Sequence, residues 1–216
     1  TLGETGTTGQ TLYYNGSAWV ATSNLYNNGA NVGVGTTSPI SQFHEDGGNF
    51  LVTGTFGSGN AIEVTGSGTR MFFNPKTGSF RAGTANGGAW DSTNTGANST
   101  ATGYSTLASG NASVAMGSGS YATGDYSFAA GQYNYSTNTG AASFGNSNES
   151  TGNGSFAAGS NNYATNTNSV ALGNSNESNG NGSFAAGSNN YATNTNSMAF
   201  GSNNESNGNN SFAAGQ

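Results

Sequence analysis

The chain has 216 residues and a formal net charge of −6, and only 6% of its side chains are charged, against about a quarter in ordinary globular proteins. Its three cations, at positions 70, 76 and 81, are too few to neutralise a run of phosphates, which excludes nucleic-acid binding by counterion release. The absence of cysteine excludes disulfides and thiolate metal sites, and no apolar run approaches the ~18 residues of a membrane helix, so we expect no membrane insertion.

Residues 1–98 predict an N-terminal region of short strands and hairpins. Asn15-Gly16 stands between two apolar runs, which is the strongest short-range signal for a β-hairpin. No window shows the 3.6-residue period of an amphipathic helix, so we expect almost no helix. Further strands are predicted within 31–39, which ends at a proline, and at 50–53, 61–65 and 70–73.

An internal repeat organises residues 99–216. A unit of the type S-x-A-x-G recurs nine times at intervals of 14 residues, beginning at Ser99, and its fifth position is always glycine. Residues 155–182 and 183–210 agree at 23 of 28 positions, so the full unit comprises two coils. An excess of Gly, Asn, Ser and Thr usually indicates disorder, but a disordered tract does not keep a glycine in register over nine rows.

The columns of this repeat predict a narrow parallel β-solenoid of 14-residue coils. In a strand, alternate residues point to opposite faces, and the third position of each unit is always Ala or Ser. A second Ala/Ser column follows seven residues later, so the two columns are expected to face each other across the interior. Nine coils at ~4.8 Å spacing would span roughly 43 Å. Positive φ at a corner is predicted for a Gly/Asn column, since these residues tolerate it: Gly110, Gly124, Asn138, Gly152, Asn166, Gly180, Asn194 and Gly208.

Large apolar residues occupy the second and fourth positions, on the face opposite the small column. Because Ala and Ser already fill the interior, this stripe cannot be buried inside its own coil, and soluble monomers avoid an apolar ridge of that length. Identical ridges at one height cover each other best around a cyclic symmetry axis, with two or three chains. The predicted self-association stripe is Val114, Met116, Phe128, Phe144, Phe156, Val170, Leu172, Phe184, Met198, Phe200 and Phe212.

One outward column is a candidate ligand face. It combines aromatic rings and amides, which suit stacking on sugars and hydrogen bonding to their hydroxyls. The same residues would also suit a solvated surface without a ligand, and paired Asn residues stacked in register would equally form hydrogen-bonded ladders. The candidate residues are Tyr121, Tyr135, Tyr163 and Tyr191, with Asn161, Asn162, Asn189 and Asn190, and the same column contains Glu149, Glu177 and Glu205.

No group of residues indicates catalysis, a cofactor or a metal. His44, Glu45 and Asp46 are consecutive, and adjacent side chains do not converge on one ligand. The chain has no second histidine for a zinc site, and the repeat offers one glutamate per two coils, too few for calcium. We therefore expect a protein that is not an enzyme.

The hexapeptides beginning at Asn98, Asn168 and Asn196 (N-S-T-A-T-G, N-S-V-A-L-G and N-S-M-A-F-G) resemble the N-S-V-A-I-G motif of YadA-like heads in trimeric autotransporter adhesins. The resemblance covers residues 99–215. It implies a left-handed parallel β-roll in which three chains pack through the bulky alternate residues. The sequence thus predicts an all-β trimeric β-roll over 99–216 with a connector region before it.

Residues 1–98 resemble the stalk modules that precede such heads in phage tail fibres and large bacterial surface proteins. We expect an extracellular fibre, on a bacterial surface or a virion, that gives reach and attachment. Its expected partners are itself, as a homotrimer, and a surface glycan or cell-surface receptor.

The alternatives are a purely structural filament and an ice-binding solenoid, the latter suggested by Thr pairs. With no signal-peptide pattern and no capping segment in sight, we expect a piece of a longer protein. The phrases that carry the stalk resemblance are 9–19, 31–39, 68–73 and 79–83, and the Thr pairs are 137/139, 165/167 and 193/195.

Overall fold

The computed structural model describes residues 6–216, and its elements are β-strands apart from a 3-10 turn at Ser92–Asn94. This confirms the predicted all-β class. Among the described residues, no helix has the length and apolarity needed to span a membrane. One compact unit ends at Val52, and the second comprises Thr53–Gln216. The division at residues 98/99 rests on composition and repeat, and it stays a prediction.

The first unit contains a four-stranded sheet in the order β1-β2-β3-β4. β1 and β2 form the hairpin predicted from Asn15-Gly16, in which Asn15 Oδ1 accepts hydrogen bonds from the backbone N–H groups of Ser17 and Ala18 (3.0 and 2.9 Å). β3, which lies in the predicted 31–39 segment, pairs antiparallel with β2 and parallel with β4. The strands are β1 (Gln10–Tyr14), β2 (Trp19–Asn27), β3 (Val32–Val34) and β4 (Phe43–Glu45).

The second unit begins its regular structure with an antiparallel hairpin, β5 (Gly68–Asn74) and β6 (Ser79–Ala85). β5 confirms the strand predicted at 70–73. The strands predicted at 50–53 and 61–65 are wrong, because neither segment has a ladder partner. Apolar residues alone suggested them, but strands are stabilised by cross-strand neighbours.

From β6 onward, the coils build two parallel sheets, which confirms the β-solenoid. An 11-stranded sheet starts with β5 and β6 and continues through nine longer strands, while the second strand of each coil joins an 8-stranded sheet. Neighbouring long strands pair with a shift of 14 residues, so that Phe128 lies beside Ala142 and Gly131 beside Gly145. The long strands are β7 (Thr100–Tyr104), β9 (Val114–Ser118), β11 (Phe128–Gln132), β13 (Ala142–Asn146), β15 (Phe156–Ser160), β17 (Val170–Asn174), β19 (Phe184–Ser188), β21 (Met198–Ser202) and β23 (Phe212–Gly215). The short strands are β8 (Leu107–Ala108), β10 (Tyr121–Ala122), β12 (Tyr135–Ser136), β14 (Glu149–Ser150), β16 (Tyr163–Ala164), β18 (Glu177–Ser178), β20 (Tyr191–Ala192) and β22 (Glu205–Ser206).

The two small columns form the interior, as predicted. Alanines from both sheets pack together, for example Ala157 and Ala171 of the long strands with Ala164 of a short strand. Where serine replaces alanine, its hydroxyl forms a hydrogen bond within the interior: Ser136 Oγ lies 2.6 Å from Ser143 Oγ, and Ser150 Oγ donates to the Ala142 carbonyl oxygen. The coil is therefore too thin to enclose a larger side chain at these positions.

The serine at the first position of the unit closes the turn that precedes each long strand. Ser155 Oγ donates a hydrogen bond to the carbonyl oxygen of Gly152 at 2.7 Å. Eight coils form the same bond, and Ala141 occupies the position in the remaining coil. The backbone N–H of Ser155 donates to the same carbonyl oxygen at 3.2 Å, so the serine fixes the turn with two hydrogen bonds.

The predicted corner column is wrong in one respect, because its residues do not have positive φ. The left-handed residues lie two positions further along and again at the other corner, as at Asn168 (φ 55°) and Asn161 (φ 56°). Glycine in the predicted column is explained instead by the lack of space for a Cβ atom. A Cβ atom on Gly152 would overlap the carbonyl oxygen of Asn166 in the next coil.

Candidate interaction surfaces

The predicted self-association stripe lies on the outer face of the 11-stranded sheet. Third-position residues point into the interior, so second- and fourth-position residues point outward. In-register pairing stacks these outward positions coil upon coil along the solenoid. In the single chain, Met116, Phe144, Met198 and Phe212 are exposed, and the other stripe residues are half-buried. Their role as a trimer core stays a prediction.

Aromatic rings of the stripe stack between coils. Phe128 at the second position of one coil stacks on Phe144 at the fourth position of the next, with ring centroids 4.9 Å apart and planes at 19°. Phe184 and Phe200 repeat this geometry at 5.0 Å and 21°. Offset stacking at such distances stabilises aromatic pairs beyond the effect of burial alone. The alternation of Phe with Ala therefore places stacked pairs of phenylalanine rings at intervals along the stripe.

The outer face of the 8-stranded sheet carries the candidate ligand face. Tyrosine and glutamate alternate here along one column, because Tyr135 pairs with Glu149 and Glu149 with Tyr163. Tyr121 and Tyr135 meet edge to face, with centroids 5.2 Å apart. We call this column, which has the residues predicted from the sequence, the Tyr/Glu column: Tyr121, Tyr135, Glu149, Tyr163, Glu177, Tyr191 and Glu205.

The structure corrects part of the predicted ligand face. Asn161 and Asn189 are exposed at left-handed corners, but Asn162 and Asn190 are fully buried. Two consecutive residues point in opposite directions here, because the chain enters the short strand immediately after them. Only the first asparagine of each pair can therefore meet a ligand.

The buried asparagines form a ladder, which is the alternative that the sequence left open. Asn162 donates to Asn148 Oδ1 from both its backbone N–H (3.1 Å) and its side-chain Nδ2 (2.9 Å). Its Nδ2 also lies 2.7 Å from the carbonyl oxygen of Gly173 and 3.0 Å from that of Ala158. The sequence signal was an asparagine recurring every 14 residues, two positions before the second small column. We call this set the asparagine ladder: Asn134, Asn148, Asn162, Asn176, Asn190 and Asn204.

Arg81 fills the interior of the solenoid at its N-terminal end. It lies opposite Ala101 in the small column and is fully buried. Its Nη atoms donate to the carbonyl oxygens of Phe80, Ser99 and Ala108 and to Ser99 Oγ at 2.8–2.9 Å. Burial lowers the pKa of Arg81 to about 10, so the guanidinium stays charged at neutral pH. Sequence reasoning counted this arginine only as a cation, because its role depends on the register between β6 and β7.

Trp90 closes the same end of the core. Its indole is fully buried, and Nε1 donates to the carbonyl oxygen of Thr106 at 2.8 Å. The ring packs against the first alanines of the interior, together with Phe72, and the Arg70 guanidinium lies 5.8 Å from the ring centroid. The hairpin and Trp90 thus supply the cap that a solenoid end requires.

His44 and its neighbours do not form a site. His44 and Glu45 are consecutive residues of β4, so their side chains leave opposite faces of the strand. Across residues 6–216, no three His, Cys, Asp or Glu side chains are grouped so that they could hold a metal ion.

These surfaces lie on a repeat protein of the β-roll class, with an apolar stripe on one sheet and a polar column on the other. Residues 95–120, 108–134, 164–190 and 192–216 match the family model described as the YadA head domain repeat (2 copies). The β-solenoid of this chain is a YadA-like head. The chain matches no curated protein. Heads of this family are trimeric and belong to surface-exposed adhesins.

Proposed function

We propose that this chain is a segment of a homotrimeric extracellular fibre, on a bacterial surface or a virion, that gives reach and mediates attachment without catalysis. The stripe is the observation that carries the proposal. A single chain leaves a ridge of Phe, Met, Val and Leu partly open to water along the whole solenoid, and three chains packed on one axis would cover it. The trimeric heads of the family support the choice of three.

A stripe variant tests this proposal. In Phe144→Asp/Phe200→Asp, two carboxylates would enter the core of the assembly, where unpaired charges are strongly disfavoured. We expect the mass measured by light scattering to fall from three chains to one. The control is Tyr126→Asp/Tyr133→Asp, which changes two exposed aromatic residues away from the stripe, at left-handed positions that aspartate accepts. Loss of assembly in the control, or its retention in the stripe variant, would contradict the proposal.

The Tyr/Glu column is the surface that we propose for attachment, with a surface glycan or a cell-surface receptor as partner. Its support is geometric, since half-exposed tyrosines recur along one face beside exposed amides such as Asn161 and Asn189. Tyr135→Thr/Tyr163→Thr should abolish binding to a glycan panel while the fold persists, because threonine suits a strand and places no further charge beside the paired Glu149. Unchanged binding in this variant, or no binding by the unmodified chain, would favour a purely structural filament.

A further inference from the structure

We propose that the stripe continues beyond the repeat onto the β5–β6 hairpin, and that further copies of this chain cover the hairpin and thereby fix the axial register of the coils. The inference rests on the proposed self-association. It adds to the assembly a second contact surface, which does not recur along the chain. Such a surface can define the axial register between chains, which the repeat alone does not.

The first step of the argument is the continuity of the sheet. β6 pairs in parallel with β7 in the register of the coils, so that Phe80 lies beside Thr100 and Ala82 beside Thr102. Thr100 and Thr102 occupy the second and fourth positions of the first coil. Residues paired across neighbouring strands share a face, so Phe80 and Ala82 belong to the same two columns as the stripe.

β5 extends these columns by one more strand. Phe73 pairs with Phe80, and Met71 pairs with Ala82, while Phe72 between them points to the interior and packs against the buried core. Met71 is 70% exposed and Phe73 is 43% exposed. The hairpin therefore presents two large apolar side chains on the stripe face, and both are exposed to solvent in the single chain.

A groove beside these residues adds to the apolar surface. It is about 340 Å³ in volume and lies between β5 and residues 60–64, with Ile62, Val64, Met71 and Phe73 in its wall. An edge strand with exposed apolar side chains invites pairing or packing with another molecule. Since the stripe on the adjoining coils is proposed to meet further copies of the chain, those copies are the occupants that continuity of the sheet indicates.

The repeat leaves the axial position of one chain against another poorly defined. Residues 155–182 and 183–210 are nearly identical, so a shift of two coils places Phe184 where Phe156 stood and Ala186 where Ala158 stood. Such a shifted assembly would still place apolar side chains against apolar side chains over most of the seven coils that overlap, with Met198 and Phe200 taking the places of Val170 and Leu172. The hairpin occurs once in the chain, so only the unshifted arrangement brings the hairpins of different copies to the same height.

The test measures register by cross-linking, which the absence of native cysteine permits. Chains carrying Ala158→Cys and chains carrying Ala186→Cys are refolded together and treated with a short bifunctional thiol reagent. In the unmodified background, we expect cross-links only between like cysteines. The hairpin variant is Met71→Glu/Phe73→Glu. In this background, we expect one of two results. Either the cross-links between position 158 of one chain and position 186 of another rise several-fold, or the assembly dissociates.

Tyr126→Asp/Tyr133→Asp serves as the matched control, because it adds two negative charges at exposed positions away from the stripe and should change neither mass nor cross-links. In a Trp19→Phe background, Trp90 is the remaining tryptophan, and the fluorescence of its buried indole reports that the hairpin variant is folded. An unchanged mass and cross-link pattern in Met71→Glu/Phe73→Glu would overturn the inference and leave the proposed function intact. A monomeric unmodified chain would instead refute the proposed function.

Discussion

Glycine at the fifth position of each unit satisfies two constraints at the scale of a single residue. Gly159 has φ 119°, a conformation that side chains disfavour, and a Cβ atom there would overlap the carbonyl oxygen of Gly173 in the next coil. The same pair of constraints recurs from Gly103 to Gly201. This explains why the glycine is invariant along the stack while other columns vary.

Gly159→Ala is therefore expected to destabilise the solenoid by about 3 kcal/mol or more, from overpacking and an unfavourable φ together. Urea unfolding followed by circular dichroism measures the change. Gly140→Ala isolates the backbone effect, because its φ of 66° is left-handed but no atom would lie closer than 3.9 Å to the new Cβ. It should cost about 1 kcal/mol, and equal losses in the two variants would contradict the role of close packing.

The asparagine ladder makes a second prediction at this scale. Asn162→Ala removes the amide that links Asn148 to the next coil and leaves buried acceptors such as the Gly173 carbonyl without it. We expect a loss of about 2 kcal/mol or more, measured by the midpoint of urea unfolding. Asn161→Gly, at the exposed left-handed neighbour, should change stability by less than about 0.5 kcal/mol. Equal stability of both variants would show that the ladder contributes nothing.

At the scale of an element, the β5–β6 hairpin acts as the N-terminal cap of the solenoid. Arg81 replaces alanine in the interior column, and its guanidinium donates to the carbonyl oxygens of Ser99 and Ala108, which also accept backbone N–H groups. Trp90 covers the first buried alanines from the same end. A charged, hydrogen-bonded end group thus completes a core that elsewhere consists of alanine and serine.

Arg81→Met should loosen this end selectively, because an apolar side chain fills the space but supplies none of the four hydrogen bonds. Hydrogen exchange is expected to accelerate at the amides of β7 and to stay unchanged in β19, which lies far along the stack. Lys76→Met removes a cation from the same unit outside the core and serves as the control. If Arg81→Met accelerated exchange equally in β7 and β19, or in neither strand, a local capping role would be contradicted.

Periodic features could be predicted from the sequence, and features that depend on contacts between distant residues could not. The interior columns, the stripe and the 14-residue coil follow from side-chain alternation, which is local. The burial of Asn162 and the cap by Arg81 depend instead on which neighbour each side chain meets. The corner prediction failed for the same reason, because Gly152 is required by a close approach to the next coil rather than by its own φ.

At the scale of the whole molecule, the proposed function separates self-association and attachment between two sheets. The 11-stranded sheet carries the stripe, which is suited to other copies of the chain, and the 8-stranded sheet carries the Tyr/Glu column, which is suited to a polar partner. An assembly around the stripe would turn the Tyr/Glu columns of all copies outward. Attachment would then be multivalent, so weak single contacts would combine into a stronger one.

Sedimentation velocity of the purified chain tests the central claim most directly, because it reports mass and shape together. The account predicts an elongated particle with the mass of three chains, stable on dilution, since the stripe would be buried along its full length. A particle with the mass of one chain at all concentrations would contradict it.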